Sequence, residues 1–143
     1  MTACTQQTAA AWAKLIRVEQ GLLANVEADL KAAGFPPLAW YDALLELSRA
    51  PCGKLRPSEL ERAVLLPQYS TSRLVDRLVK ANYAVRRICP VDGRGQFIEI
   101  TAQGRKLQKR MWPAYAAAIE RHVGSKLSTD EVNRLGRLLE KLI

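Results

Sequence analysis

A single interruption breaks the otherwise helical pattern of this chain. From Tyr83 to Cys89 and again from Gln96 to Ile100, β-branched and aromatic residues flank Pro90-Val91-Asp92-Gly93-Arg94-Gly95. Two short runs around a turn-forming segment read as a two-stranded hairpin with a glycine-bearing basic tip. Elsewhere the apolar residues recur at three, four and seven residue steps, so a mainly α fold must accommodate one small hairpin.

The helices follow from that spacing and its punctuation. Trp12, Leu15, Ile16, Leu22, Leu23, Val26 and Leu30 predict a long helix from about Thr8 to Ala33, ended by Gly34 and Pro36-Pro37. A helix of about 25 residues reaches nearly 40 Å at 1.5 Å per residue, longer than a small domain needs, and such helices often pack on a partner chain. Leu38 to Ala50 predicts a second helix on Trp40, Leu44 and Leu47, stopped by Pro51. Pro57 opens a short third helix with Leu60, Ala63 and Val64 facing inward, and Arg56 at its N-cap is a poor cap because it accepts no hydrogen bond. A fourth runs from about Tyr69 to Ala81 on Leu74 and Leu78, with Asn82 placed for a left-handed end. After the hairpin, Thr101 caps a helix in which Pro113 predicts a kink or break, and Ser128 to Glu131 form a capping box before Val132, Leu135, Leu138, Leu139 and Leu142.

Charge narrows the function. The 143 residues carry 22 basic and 14 acidic side chains, a formal +8, while 48% hydrophobic content excludes a disordered polycation. Residues 1 to 50 net −1, residues 51 to 110 net +8 and residues 111 to 143 net +1. A basic block between near-neutral blocks fits a nucleic-acid-binding module held between other structural parts. No run approaches the apolar length of a membrane span or a secretory segment, which predicts a soluble, cytoplasmic protein without a membrane partner. One histidine, and cysteines only at 4, 52 and 89, offer neither a disulfide framework nor a paired metal knuckle, so no metal or cofactor is expected. No nucleophile with its base, phosphate-cradling loop or carboxylate pair points to an enzyme.

Two short helices, a tight connection and a basic hairpin describe a winged helix-turn-helix, whose second helix enters the major groove of DNA. Its N-terminal face carries Ser70, Thr71, Ser72 and Arg73, with Arg77 one turn on. The hydroxyls suit phosphates or base edges, the two arginines suit guanine or phosphate, and the helix N-terminus favours an anion. Arg94, between two glycines, suits a narrow minor groove. A salt-bridged solvent face of Arg73, Asp76, Arg77 and Lys80 is the competing reading.

Leu55-Arg-Pro-Ser-Glu-Leu60, the run from Ser70 to Asn82, Arg86-Arg87, Asp92-Gly-Arg-Gly95 and Ile100-Thr-Ala-Gln-Gly-Arg105 together resemble the MarR family of bacterial transcriptional regulators. The resemblance implies a DNA-binding lobe at 38–100 and dimerisation helices at 1–37 and 101–143. It also implies a homodimer on a pseudo-palindromic double-stranded operator, usually as a repressor, and a small-ligand pocket between the two regions. It matches Arg73 and Arg77 to recognition-helix positions, Asp92 and Arg94 to the wing pair, and Thr101 to the start of the following helix. Gly93 departs from an Arg common in the family, Asn82 from a Gly, and Arg56 from a small polar cap, a change that offers a cation to a phosphate. The candidate DNA-binding set is therefore Arg56, Ser70, Thr71, Ser72, Arg73, Arg77, Arg86 and Arg94. Trp12, Trp40 and Tyr41 lie near where family ligands bind and suit a small aromatic or phenolic effector, core packing being the competing role. Cys4 and Cys89, the latter near Arg86 and Arg87, are the candidates if the signal is oxidation of a thiolate. A non-specific architectural DNA binder is the reading from another class.

Overall fold

The computed structural model describes residues 2–88 and 95–143, so the hairpin tip with Asp92 and Arg94, and Cys89 beside it, lie outside the described residues. Among the described residues six helices and three strands follow in the order α1 (Gln6–Ala32), α2 (Leu38–Arg49), β1 (Lys54–Leu55), α3 (Pro57–Ala63), α4 (Thr71–Lys80), β2 (Ala84–Ile88), β3 (Gln96–Ile100), α5 (Ala102–His122) and α6 (Thr129–Glu140). Single 3-10 turns occupy Pro51–Gly53 and Gly124–Lys126. This is the mainly helical winged helix-turn-helix that the sequence predicts.

The sheet has one strand more than a hairpin. β2 and β3 pair antiparallel with Ala84 opposite Ile100 and Arg86 opposite Ile98, and β1 adds to the other edge of β3 with Leu55 also opposite Ile98. Two residues are too few to show an alternating pattern, so only the long-range pairing identifies β1. Asn82 takes the left-handed conformation expected of it, at φ 66°.

Local chemistry sets the helix ends. Thr5, Ser70, Thr101 and Ser128 each accept a hydrogen bond from a backbone N–H in the first turn of the helix that follows. α1 and α4 thus start at Gln6 and Thr71 rather than at Thr8 and Tyr69. At α3 the capping runs in reverse, the Glu59 carboxylate accepting from the Arg56 N–H at 2.9 Å. Pro113 causes no break, since α5 is helical throughout. The hydrogen bond its missing N–H would make is offset by packing on either side, where Met111 and Ala118 are wholly buried. Ala63 faces solvent rather than the interior, while Leu60 beside it is buried.

The core lies where the C-terminal half of α1, α2, α4, β3 and α5 meet, around Leu30, Leu44, Leu47, Leu78, Ile98 and Met111. α5 packs against both α1 and α2, and so joins the winged helix-turn-helix to α1. At its far end Asp29 of α1 accepts from His122 Nε2 at 2.9 Å and from the Arg121 guanidinium at 2.7 Å. Beyond the core, Trp12, Leu15 and Val18 of α1 and the α6 row Val132, Leu135, Leu138, Leu139 and Leu142 are exposed, Trp12 by 65% and Leu142 by 72%. Large apolar side chains repeated along two helices in water mark an association surface. No helix is long and apolar enough to cross a membrane, and no cluster suited to a metal ion occurs, among the described residues.

Candidate nucleic-acid interface

α4 owes its orientation to its buried stripe. Leu74, Val75 and Leu78 sit in the core, which turns Ser72, Arg73, Asp76, Arg77 and Lys80 to solvent. Ser70 is the N-cap and accepts the Arg73 N–H at 3.2 Å, leaving the other N–H groups of the first turn to an incoming anion. Arg73 and Arg77, four residues apart on one face, share a shallow groove with Gln68, Tyr69 and Ser70. Tyr69 projects fully into solvent just ahead of the helix.

A second depression, of about 430 Å³, brings Ser70, Thr71 and Ser72 together with Arg86 of β2, Gln96 of β3 and Pro57 and Ser58 of α3. Thr71 Oγ1 is buried there without a hydrogen-bond partner among the described residues. Arg86 is not directed outward alone, because its guanidinium pairs with Asp76 on α4 and ties the wing strand to the recognition helix. Next to it Arg87 pairs with Glu99 across the ladder at 3.0 Å. Arg56 stands apart at the start of α3, where its guanidinium lies 4.9 Å from the centre of the Phe97 ring and Lys54 Nζ lies 5.2 Å from it. Of the eight residues expected at DNA, Ser70, Thr71, Ser72 and Arg73 therefore stand at the N-terminus of α4 with Arg77 farther along the same face, Arg86 spans to the wing, and Arg56 extends the basic surface along β1. Arg94 lies outside the described residues.

The connection between α3 and α4 is held from behind by a residue that the sequence did not single out. Asp42 of α2, only 6% exposed, accepts from the Leu65 N–H at 2.9 Å and the Leu66 N–H at 2.7 Å. This fixes the turn that sets one helix of the pair against the other. As one of two acids on an amphipathic helix it reads as a solvent-facing residue, and only the tertiary contact reveals it.

The aromatic candidates occupy three different places. Trp12 lines an exposed apolar groove with Ala11, Leu15 and Leu142. Trp40 meets Tyr83 edge to face at 6.0 Å. Tyr41 is buried against Tyr115 at 5.1 Å and Trp112 at 6.2 Å, and its hydroxyl accepts from Gln108. Cys4 and Cys52 are exposed free thiols on separate segments.

Residues 33–95 match the model of the MarR family. The transcriptional repressor MprA of Escherichia coli (strain K12) is 27% identical over 128 residues, covering 90% of this chain and 72% of the repressor. Sco3205 of Streptomyces coelicolor, a MarR family transcriptional regulator whose structure is in complex with DNA, superimposes with a TM-score of 0.87 at 25% identity over 99% of this chain and 89% of that one. AbsC of the same organism, another regulator of that family, gives a TM-score of 0.82 at 27% identity over 99% and 95% of the two chains.

Proposed function

We propose that the chain, whose residues 33–95 match the MarR family model, is a transcriptional regulator of that family that binds a pseudo-palindromic operator as a homodimer, represses transcription and releases DNA when a small aromatic effector binds. The observation that carries the reading is the grouping of Ser70, Arg73 and Arg77 on one exposed face of the N-capped helix α4, with Arg86 held beside it by Asp76. Arg73 and Arg77 suit guanine edges or phosphates, the serine and threonine hydroxyls suit phosphates, and Arg56 and Arg94 suit the flanking backbone and the minor groove. Residues 38–100 supply this lobe, and residues 1–37 and 101–143 supply the dimer.

The apolar rows on α1 and α6 are the natural seat of a second copy. A dimer would set its two recognition helices about one helical turn of DNA apart, roughly 34 Å. An effector that binds another spacing more tightly lowers operator affinity, and a hundredfold drop asks for only about 2.7 kcal/mol of coupling. Thiol sensing through Cys4 or Cys89 is the alternative signal; Cys4 is an exposed free thiol, and Cys89 lies outside the described residues. The long outer helices favour a regulator over an architectural binder.

Selection from random duplexes tests the reading. The expected product is an inverted repeat with half-sites one turn apart, bound by two chains. With about 8 phosphates neutralised, log K falls against log salt at a slope near −7. Equal affinity for selected and scrambled DNA would overturn it.

A further inference from the structure

We propose that Lys54 and Arg56, both held on the ring of Phe97, form a two-cation seat for the phosphate backbone of duplex DNA beside the recognition helix; this rests on the DNA-binding reading above and supplies a contact independent of base sequence. Strand alternation builds the seat. Lys54 lies opposite Glu99 and Leu55 opposite Ile98, which is 1% exposed, so Leu55 packs toward the core and Lys54 takes the outer side of the sheet. Arg56 continues in extended backbone and returns to that outer side. Phe97, the neighbour of Ile98 on β3, projects there as well. Its ring then meets two cations, with Lys54 Nζ 5.2 Å from its centre and the Arg56 guanidinium 4.9 Å from it.

The carboxylates that could neutralise this pair are engaged elsewhere. Glu99 lies directly across from Lys54, but it accepts from Arg87 Nε at 3.0 Å, on the strand at the opposite edge of the sheet. Glu59, in the first turn of α3, turns its carboxylate to the Arg56 backbone N–H at 2.9 Å. Neither Lys54 nor Arg56 has an ion-pair partner among the described residues. The ring attracts both cations without cancelling their charge, so the positive potential stays open to an anion.

The seat borders the recognition surface. Pro57 and Ser58, directly after Arg56, and Gln96, directly before Phe97, line the same depression as Ser70 and Thr71 at the start of α4. A duplex read by α4 thus carries its backbone toward the two cations, and charge complementarity selects the phosphates. Phe97 is a positioning residue here. It bears no charge, but two long cationic side chains already gathered on a ring lose less rotamer freedom when they meet DNA. Lysine on an edge strand such as β1 also deters pairing with another chain, and that role asks nothing of Phe97.

Salt-titrated binding of the full chain to its selected operator and to a scrambled duplex tests the proposal. Lys54→Ala removes one phosphate contact from each protomer of a dimer, so the slope of log K against log salt should become shallower by about 2, with an equal severalfold loss on both duplexes. Lys54→Gln, which keeps the stem over the ring, should match it and separates charge from folding. Phe97→Leu retains both cations yet should weaken both duplexes severalfold, and Phe97→Tyr, which keeps a π face, should restore the parent's affinity. A parent-like slope in both Lys54 variants overturns the seat and leaves lysine as an edge guard. A loss confined to the operator overturns it too, because Lys54 would then read a base. Parent-like binding in Phe97→Leu overturns the role of the ring. If the parent itself binds neither duplex, the DNA-binding reading falls and the seat with it, a result distinct from a parent that binds and variants that bind equally well.

Discussion

The carboxylate of Asp42 accepts the backbone N–H of Leu66 at 2.7 Å across a sequence separation of 24 residues, and its other oxygen takes Leu65. Asp42→Ala leaves both N–H groups without this acceptor and removes a charge-assisted pair, which costs about 3–6 kcal/mol when hydrogen bonds to charged groups contribute roughly 1.5–3 kcal/mol each. Urea unfolding should show a lowered midpoint with an unchanged slope. Asp42→Asn, which keeps one acceptor oxygen, should recover part of the loss. An unchanged midpoint in the alanine variant would mean that the α3–α4 turn is held by packing alone.

The Asp29 carboxylate is held below its ordinary range, chiefly by the hydrogen bond with His122 and, against some opposing burial, by the Arg121 charge. In acid the unfolded chain therefore takes up this proton before the folded one does. The stabilisation is full above the ordinary carboxylate value of about 4 and is lost as pH falls through the lower folded-state value. Asp29→Asn should flatten the acid limb of the stability curve, and His122→Gln should return the Asp29 titration toward the ordinary range in carbon-detected NMR. An Asp29 titration that does not move in His122→Gln would remove the histidine as its main cause.

Much of this arrangement is legible before any coordinates, and the parts that are not share a physical reason. The Ser128–Glu131 capping box, the left-handed Asn82 and the stripe of Leu74 and Leu78 are local, set by residues within a turn or two of each other, and they appear where the spacing puts them. Strand β1, the grip of Asp42 on the α3–α4 turn and the pairing of Arg86 with Asp76 join distant segments. No local window records them. Pro113 errs in the other direction, a strong local breaker overridden by the packing of Met111 and Ala118 around it. The exposed rows on α1 and α6 are intermediate: their periodicity is plain, but it does not say whether the apolar face meets this chain or another copy.

Those rows give the third prediction. Leu138, 53% exposed in the single chain, lies within the α6 row, so Leu138→Glu places a charge on the surface assigned to a second copy. Burying that carboxylate without a partner is unfavourable, whereas in the free chain it is solvated at little cost. The variant should sediment as a monomer with its circular dichroism intact, and its operator affinity should fall by about 10²-fold or more because the second half-site no longer adds to the first. The emission of Trp12, 65% exposed in the single chain, should shift to the red as the dimer dissociates. A Leu138→Glu dimer as tight as the parent would assign the interface elsewhere.

The fourth prediction separates two arginines that look equivalent in the sequence. Arg77 faces solvent with Arg73, but Arg86 is engaged by Asp76, whose own side chain is 61% exposed beside them on α4. Arg77→Ala should therefore cost about 1–3 kcal/mol of operator binding, the range for one arginine on a base edge, with little change in stability. Asp76→Asn acts oppositely: it removes an anion from the DNA-facing side and releases Arg86 toward phosphate. Because exposed ion pairs contribute about 0–1 kcal/mol, unfolding should hardly change. Affinity for unrelated DNA should rise, and if both arginines of a dimer gain a phosphate the slope of log K against log salt should steepen by about 2. A parent-like slope in Asp76→Asn would show that Arg86 stays at the wing strand after its partner is gone, so that the ion pair does not determine where it points.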